Sequence, residues 1–508
     1  MYGVDGDSAN AVWVSESEGL DSNNGTITSP VKTITKGLAL AALIANGKRN
    51  VYVVTGTYAE DVTVTDDINL YGGYGLLTAP NTRERNRDSY RPVIIGVNGG
   101  SVTTIHFHSG DFPVSYTLLL QSTKSIVDDF EIHGDVSGLC VILFDADATL
   151  INNVIEDDDP LVERDMSISL TTIVSDVSTS TRKVTLQNNE ILMHGTGGGS
   201  SNNDSFGILA YPAMNADTGL VLTVKDNTII SDGITEAVYP VMIADDDDNP
   251  FDNPIGDGHA DFEINLVKNT MSINGTLAGT IGFVGGRDAF GGFDGPSGDN
   301  LVYLKKATIE QNRFDFNLIG AEGEMGIECA MVRDGCDVAN NIITMEGDAE
   351  MSIGFFSFIA QMNITSNTLA VNTSGSQAMG VSFFHTDDAV SIPEAINYMA
   401  LTAGDVVDNI FSLKQTTSNP SCYTAGLVEN VDTVNDSYVN AASPESFQDN
   451  NLFFETNCSK IILYGDQLDS TNHTIITNLN DLNSKTGFRP DDPTIVSGNI
   501  SADPQLTF

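Results

Sequence analysis

The chain has 508 residues, of which 23 are Lys or Arg and 69 are Asp or Glu, giving a formal net charge of −46. Charge of that size repels phosphate backbones and anionic lipid, which excludes nucleic acid and acidic membrane surfaces as partners and suits a medium rich in salt or divalent cations. No run of 18 apolar residues occurs, so no membrane span is expected, and the opening MYGVDGDSAN is neither basic nor apolar, so no leader is expected there.

In chain order, Ser29 and Pro30 open VKTITKGLALAALIANG, whose apolar spacing, early Pro and closing Gly47 predict a short amphipathic helix. NVYVVTGTY and DVTVTDDINLYGGYG follow as strands, rich in Val, Thr and Tyr and broken by Gly. His106 and His108 alternate as metal ligands on a strand can, but with no third ligand in view a polar strand face is expected.

From about residue 138 two short patterns alternate. The first is a small residue, an apolar run and then acid, as in Gly138-LCVILF-Asp145, Gly282-FVGGR-Asp288, Gly326-IECAMVR-Asp334 and Gly380-VSFFHT-Asp387. The second is an Asn flanked by β-formers, at Asn153, Asn189, Asn227, Asn269, Asn312, Asn341, Asn367, Asn409 and Asn451. Its spacing of 26 to 43 residues suits stacked units with loops of different length. Short Val, Ile, Leu, Phe and Thr runs without a 3.6-residue period make each unit strand and turn. The chain therefore reads as an all-β solenoid of about a dozen coils in parallel register, with the Asn residues stacked as a structural ladder that also turns a tight left-handed corner. Such a stack needs its ends closed. The helix covers the first rung, and the tail SGNISADPQLTF, with Pro493 and Pro504 nearby, is expected not to extend the ladder. The expected organisation is one elongated domain over 1–508, with a cap region at 1–50, coils over 51–460 and a second cap region at 461–508.

Five cysteines show no zinc-site spacing. Cys329 and Cys336 flank a turn, and Cys422 and Cys458 fall in neighbouring coils. Two disulfides with Cys140 left as a buried hydrophobe, or buried thiols throughout, both fit.

VWVSESEGLDSNNGTITSPVKTITKGLALA, then VYVVTGTYAEDVTV and NLYGGYG, resemble the opening of right-handed parallel β-helix proteins of bacterial and archaeal surfaces, within the pectate-lyase-like superfold. The matching positions include Trp13, Gly19, Asp21, Asn24, Gly25, Pro30, Thr33, Gly56 and Tyr58, and the closing Ala502-Asp503-Pro504 is similar as well. The resemblance implies a right-handed parallel β-helix with an N-terminal capping helix and an extracellular or cell-surface location. It leaves activity open, because that superfold holds lyases, glycan binders and adhesins.

For chemistry, the acids that follow the first pattern would line one edge if the coils keep register: Asp145, Asp147, Asp334, Asp387, Asp388 and, most densely, Asp245, Asp246, Asp247 and Asp248 beside Asp288. Such a set offers oxygen ligands for calcium, the cofactor expected here, although it matches no defined calcium loop; a solvated acidic edge is the alternative. A polysaccharide lyase would use those acids with Arg287, Lys305, Lys306 or Arg313 as base, but a polyanionic substrate would meet a surface of its own sign. The function expected is a non-catalytic structural or adhesive surface protein. Its loops would bind glycan or a neighbouring surface protein, with a calcium-dependent lyase and a self-associating filament subunit as alternatives.

Overall fold

The computed structural model describes residues 11–44, 49–78, 82–97, 102–107, 110–121, 123–134, 139–157, 166–174, 180–194, 204–211, 219–232, 235–245, 261–288, 304–330, 332, 334–358, 360–385, 404–417, 422–431, 446–458, 460–466, 475–484, 495–504 and 506. The chain divides into two compact units, 1–230 and 231–508. Each is a parallel β-helix built on three sheets.

In the first unit one sheet stacks Ala11–Val14, Arg49–Val54, Ile68–Tyr74, Lys124–Asp128, Asp147–Ile151, Arg182–Gln187 and Gly219–Lys225. A second holds Thr57–Ala59, Val93–Ile95, Glu131–His133, Val154–Asp157 and Glu190–Met193 in parallel. The third holds Val62–Val64, Gly110–Gln121, Leu139–Phe144, Met166–Ile173 and Asp204–Tyr211. The second unit repeats the scheme: Leu304–Glu310, Arg313–Ile319 and Gly323–Ala330 make one coil, and Cys336–Ala339, Ile342–Gly347 and Met351–Phe358 pair beneath them. All coils wind the same way, so equivalent strands meet in parallel and alternate side chains enter a shared core. Ile309, Val338, Ile364 and Val406 stack on the first sheet, and Phe314, Ile343, Leu369 and Phe411 on the second, all of them fully buried.

The Asn pattern sits at the corner between the first and second strands of each coil, and its hydrogen bonds explain why Asn is used. The backbone N–H and the Nδ2 of Asn341 both donate to Oδ1 of Asn367, at 2.9 and 3.0 Å, and Nδ2 also donates to the Ile309 carbonyl at 2.8 Å. Every donor and both lone pairs of that amide are used, at 1% exposure. Asp lacks the donors. The same bonding joins Asn153 to Asn189 to Asn227 in the first unit, and Asn269 to Asn312 to Asn341, then Asn367 to Asn409, in the second.

Three details differ from expectation. The left-handed residue is the one before the ladder Asn, at Asn152, Asn188, Asp226, Lys268, Gln311, Asn340, Ser366, Asp408 and Asp449, with φ between 54° and 60°. Asn450, not Asn451, is the next rung, receiving the Asn409 amide at 3.0 Å. The ladder also runs on: Ile495–Ser497 pairs with Ser446–Gln448, and Asn499 accepts from Asn450 at 3.1 Å, so the tail does extend the stack. It stops at a short helix of the second unit, Leu479–Asn483, where Asn483 Oδ1 accepts both the N–H and the Nδ2 of Asn499. An antiparallel pairing of Tyr464 with Ile476 ends the third sheet there. In the first unit, the ladder of that unit starts at the Phe130 N–H, which donates to Asn153 Oδ1 at 3.0 Å.

The N-terminal helix runs Ile34–Ala42, shorter than the sequence segment. Thr33 caps it, accepting from Lys36 N–H, and the Glu60 carboxylate takes the N–H groups of Ile34 and Thr35 at 2.7 and 2.9 Å, favourable charge for a helix start. Pro30 precedes the cap, and Gly47 lies outside the described residues. Its buried face of Ile34, Gly37, Leu38 and Ala41 lies on the first coil, so close that a Cβ at Gly37 would sit 2.5 Å from Val14 Cγ2. Glycine is needed again on the third sheet. A Cβ on Gly326, Gly354 or Gly380 would lie 2.6–2.8 Å from the carbonyl of the next coil's glycine and against Ile343, Leu369 or Phe411. That column is the small residue of the first sequence pattern. His106 falls on an antiparallel hairpin, Val102–Phe107 against Gly110–Gln121, rather than on a solenoid strand, and His108 lies outside the described residues.

Both disulfides form, Cys329–Cys336 and Cys422–Cys458, and Cys140 is buried with its thiol toward the Ile132 carbonyl.

Two substitutions at one corner should move stability in opposite directions. Asn341→Ala leaves buried partners unsatisfied and should cost about 1–3 kcal/mol, whereas Asn340→Gly relieves a left-handed residue and should be neutral or stabilising. Urea midpoints of the two variants check this. Equal midpoints for Asn341→Ala and wild type would contradict the ladder.

Candidate functional site

Of the acids expected on one edge, Asp245 and Asp288 are register partners on adjacent strands of the second unit, while Asp246, Asp247, Asp248, Asp387 and Asp388 lie outside the described residues. Asp145 is not on an open edge: it is 5% exposed at a left-handed corner. Asp147 accepts the Lys183 N–H at 2.8 Å and faces Lys124. Three of the four bases named for a lyase are held by acids: Lys305 by Glu263 at 2.7 Å, Lys306 by Asp337 at 3.0 Å and Arg313 by Asp315 at 2.5 Å. Burial works against the ionised Asp337 carboxyl, yet the Asn363 amide and Lys306 hold it below the usual range. The two lysine pairs fasten neighbouring strands to one another, and the Arg313 pair lies along a single strand.

Sequence reasoning missed a groove in the second unit. Parallel register on the second sheet aligns two outward columns, Asp315, Thr344, Ala370, Ser412 and Phe453 in one, and Asn317, Glu346, Asn372, Lys414 and Glu455 in the other. The C-terminal tail lies alongside. Asn451, which the pattern suggested as a rung, instead clamps the tail: its Nδ2 donates to the Ala502 carbonyl and its Oδ1 accepts the Ala502 N–H, both at 3.0 Å. Asp503, Pro504 and Leu506 thereby form a wall, closing an open cavity of about 390 Å³ over the two columns. Phe453 is half-buried, and Asn372, Lys414, Glu455 and Glu346 are exposed, Lys414 and Glu455 paired at 3.5 Å. One aromatic edge, amide and hydroxyl groups, and charges of both signs make this a surface for a polar, neutral ligand with an apolar face. Glu346 and Glu455 are three strands apart, roughly 14 Å at the strand spacing, too far for the carboxylate pair of either glycosidase geometry.

A second cavity, of about 380 Å³, lies in the first unit between Arg87, Arg91 and the corner residues Asn152, Asn188 and Asp226. Its arginines are engaged, Arg87 with Asp128 and Arg91 with Asp129, and nearby Arg85 shares Asp128. Arg85 also lies over Tyr71 and Tyr74, and Arg83 over Trp13. This cluster ties the segment after the third strand to the stack and presents no aromatic to the cavity.

Elsewhere, Glu324 lies on the third sheet at 1% exposure, its Oε1 accepting from Ser352 Oγ at 2.6 Å and its Oε2 without a hydrogen-bond partner among the described residues. Burial pushes its carboxyl up to about 8, against which the Ser352 bond acts only weakly. It is too enclosed to meet a substrate.

No family model matches this chain, and no curated protein does. Among solved structures it is similar to two crystal structures of GH136 lacto-N-biosidase from Eubacterium ramulus. The native protein is 10% identical with a TM-score of 0.39, over 90% of this chain and 68% of that one. The selenomethionine derivative is 9% identical with a TM-score of 0.34, over 90% and 67%. Among the described residues no helix is long and apolar enough to cross a membrane.

Glu324 gives the second unit a pH dependence. Because its folded value lies above its unfolded one of 4.5, the stability from the neutral form is complete below about 4.5 and is lost as pH rises through about 8. The slope approaches ~1.4 kcal/mol per pH unit between them. Glu324→Gln should flatten that dependence and raise the melting temperature relative to wild type at pH 8. A variant whose melting curve tracks wild type from pH 5 to 8 would show the carboxyl ionised inside the fold.

Proposed function

We propose that this chain is a non-catalytic, glycan-binding β-helix of the cell exterior, related to the surface proteins of the pectate-lyase-like superfold. The observation that carries the reading is the groove of the second unit, where Phe453 lies beside Ser412, Asn372 and the Lys414–Glu455 pair under a tail clamped by Asn451. A pyranose ring has an apolar face for an aromatic edge and hydroxyls for amide and paired charged groups. The rigid register keeps those groups at fixed spacing without a bound ligand, which lowers the ordering cost of binding. Net charge argues for neutral or amino sugars rather than uronates. The two disulfides favour an oxidising compartment, in keeping with export.

A glycan array probed with the whole chain, with calcium and with chelator, tests this. Neutral oligosaccharides should bind, with Phe453→Ala and Asn372→Ala each weakening the best ligand at least tenfold. Asn451→Ala, which frees the tail wall, should weaken it several-fold while leaving the melting temperature nearly unchanged. Binding that survives all three variants would place the site elsewhere. Release of shorter sugars from the bound ligand, abolished by Glu455→Gln or Asp503→Asn, would make the groove an active site instead.

A further inference from the structure

The first unit carries a cluster that neither the groove nor the ladder uses. Glu131 and His133 are two apart on one strand of the second sheet and so project from the same face. Parallel register places Glu156 beside His133 on the next coil. His194 follows the end of the strand after that, Glu190–Met193, and its Nε2 lies 3.0 Å from Glu156 Oε1. One ligating atom each of Glu131, His133 and Glu156 lies within 4.8 Å of the others, and all four side chains are partly shielded, His133 at 13% exposure.

The arrangement asks for a cation. His133 Nε2 is 2.7 Å from Glu131 Oε1, and its Nδ1 is 3.6 Å from Glu156 Oε2, so both ring nitrogens face carboxylate oxygens. A neutral imidazole carries one N–H and can satisfy only one of them. A metal ion between these groups would supply positive charge to both carboxylates at once. His194 stands outside that mutually close trio but brings a second imidazole to Glu156, and two imidazoles with two carboxylates are a ligand set for zinc and its neighbours. Calcium and magnesium take oxygen ligands, so this cluster differs in chemistry from any acidic edge. Strands fix three of the four ligands, which leaves the ion little to order on binding.

We propose that Glu131, His133, Glu156 and His194 form a binding site for one divalent transition-metal ion of the zinc type. Zinc and cobalt(II) are titrated into the whole chain in millimolar calcium, which occupies the general acidic surface. The expected result is one equivalent of zinc bound and, with cobalt, the intense visible bands of a four-coordinate site, displaced by zinc. His133→Gln and His194→Gln should each weaken zinc at least tenfold and remove the bands. Glu131→Gln, the mildest change, should lower affinity with an unaltered melting temperature in chelator. Zinc binding that calcium displaces, cobalt spectra without those bands, or bands unchanged in the histidine variants would overturn the site. A histidine proton resonance titrating well above the usual imidazole range, together with no zinc equivalent, would show that His133 carries the positive charge as imidazolium and would equally overturn it.

Discussion

A buried amide at one corner of each coil is the constraint on which the rest depends. A parallel stack has no local turn to set its register, since the strands that pair are separated by a whole coil of variable length. The Asn ladder supplies what the turns do not. Within the ladder each Oδ1 receives two donors from the preceding coil and each Nδ2 also reaches back to a carbonyl of that coil, as Asn409 does to Ile364 at 2.8 Å. A slip of one residue would leave several buried amide groups unsatisfied in every coil it touched, at ~1–3 kcal/mol each. Register inside each unit is therefore held far more firmly than strand pairing alone would hold it.

Fixed register is also what creates chemistry on the outside. The columns that contain Asn372, Lys414 and Glu455, or His133 and Glu156, exist because side chains a coil apart in sequence are neighbours on a sheet. Inside, the same regularity sets a volume limit. The glycine column on the third sheet yields space to Ile343, Leu369 and Phe411 from the second, so the core stays filled without forcing the sheets apart. The loop-side left-handed residue completes the corner. Asn and Asp dominate there because a short polar side chain tolerates that backbone, while Lys268, Gln311 and Ser366 carry more strain at the same φ.

The fold was legible because its rule recurs in every coil, and the cysteine pairs and capping helix were legible in outline. What escaped was whatever a single-residue offset or a long separation decides. Asn450 and Asn451 are equal as letters, and only the left-handed residue before the corner, Asp449, marks which is the rung. Asn499 follows Gly498 in the same way, but the nearby prolines mask it as a turn-rich end. The groove and the His133 cluster gather residues from three or more coils, and no local pattern announces them.

The ladder needs a different solution where it stops, and a polar group stands in for the absent Asn at its described end in each unit. Asn483 imitates the next rung for Asn499, and Phe130 offers only its backbone N–H to Asn153. The central claim, that the amide ladder holds the register, is tested most directly by amide hydrogen exchange in the second unit. The backbone N–H groups of Asn312, Asn341, Asn367 and Asn409 should be among the slowest in the chain, exchanging only through unfolding of the stack and together with the core strands. Exchange at those four positions as fast as in exposed turns, while the strands beside them stay protected, would contradict the account.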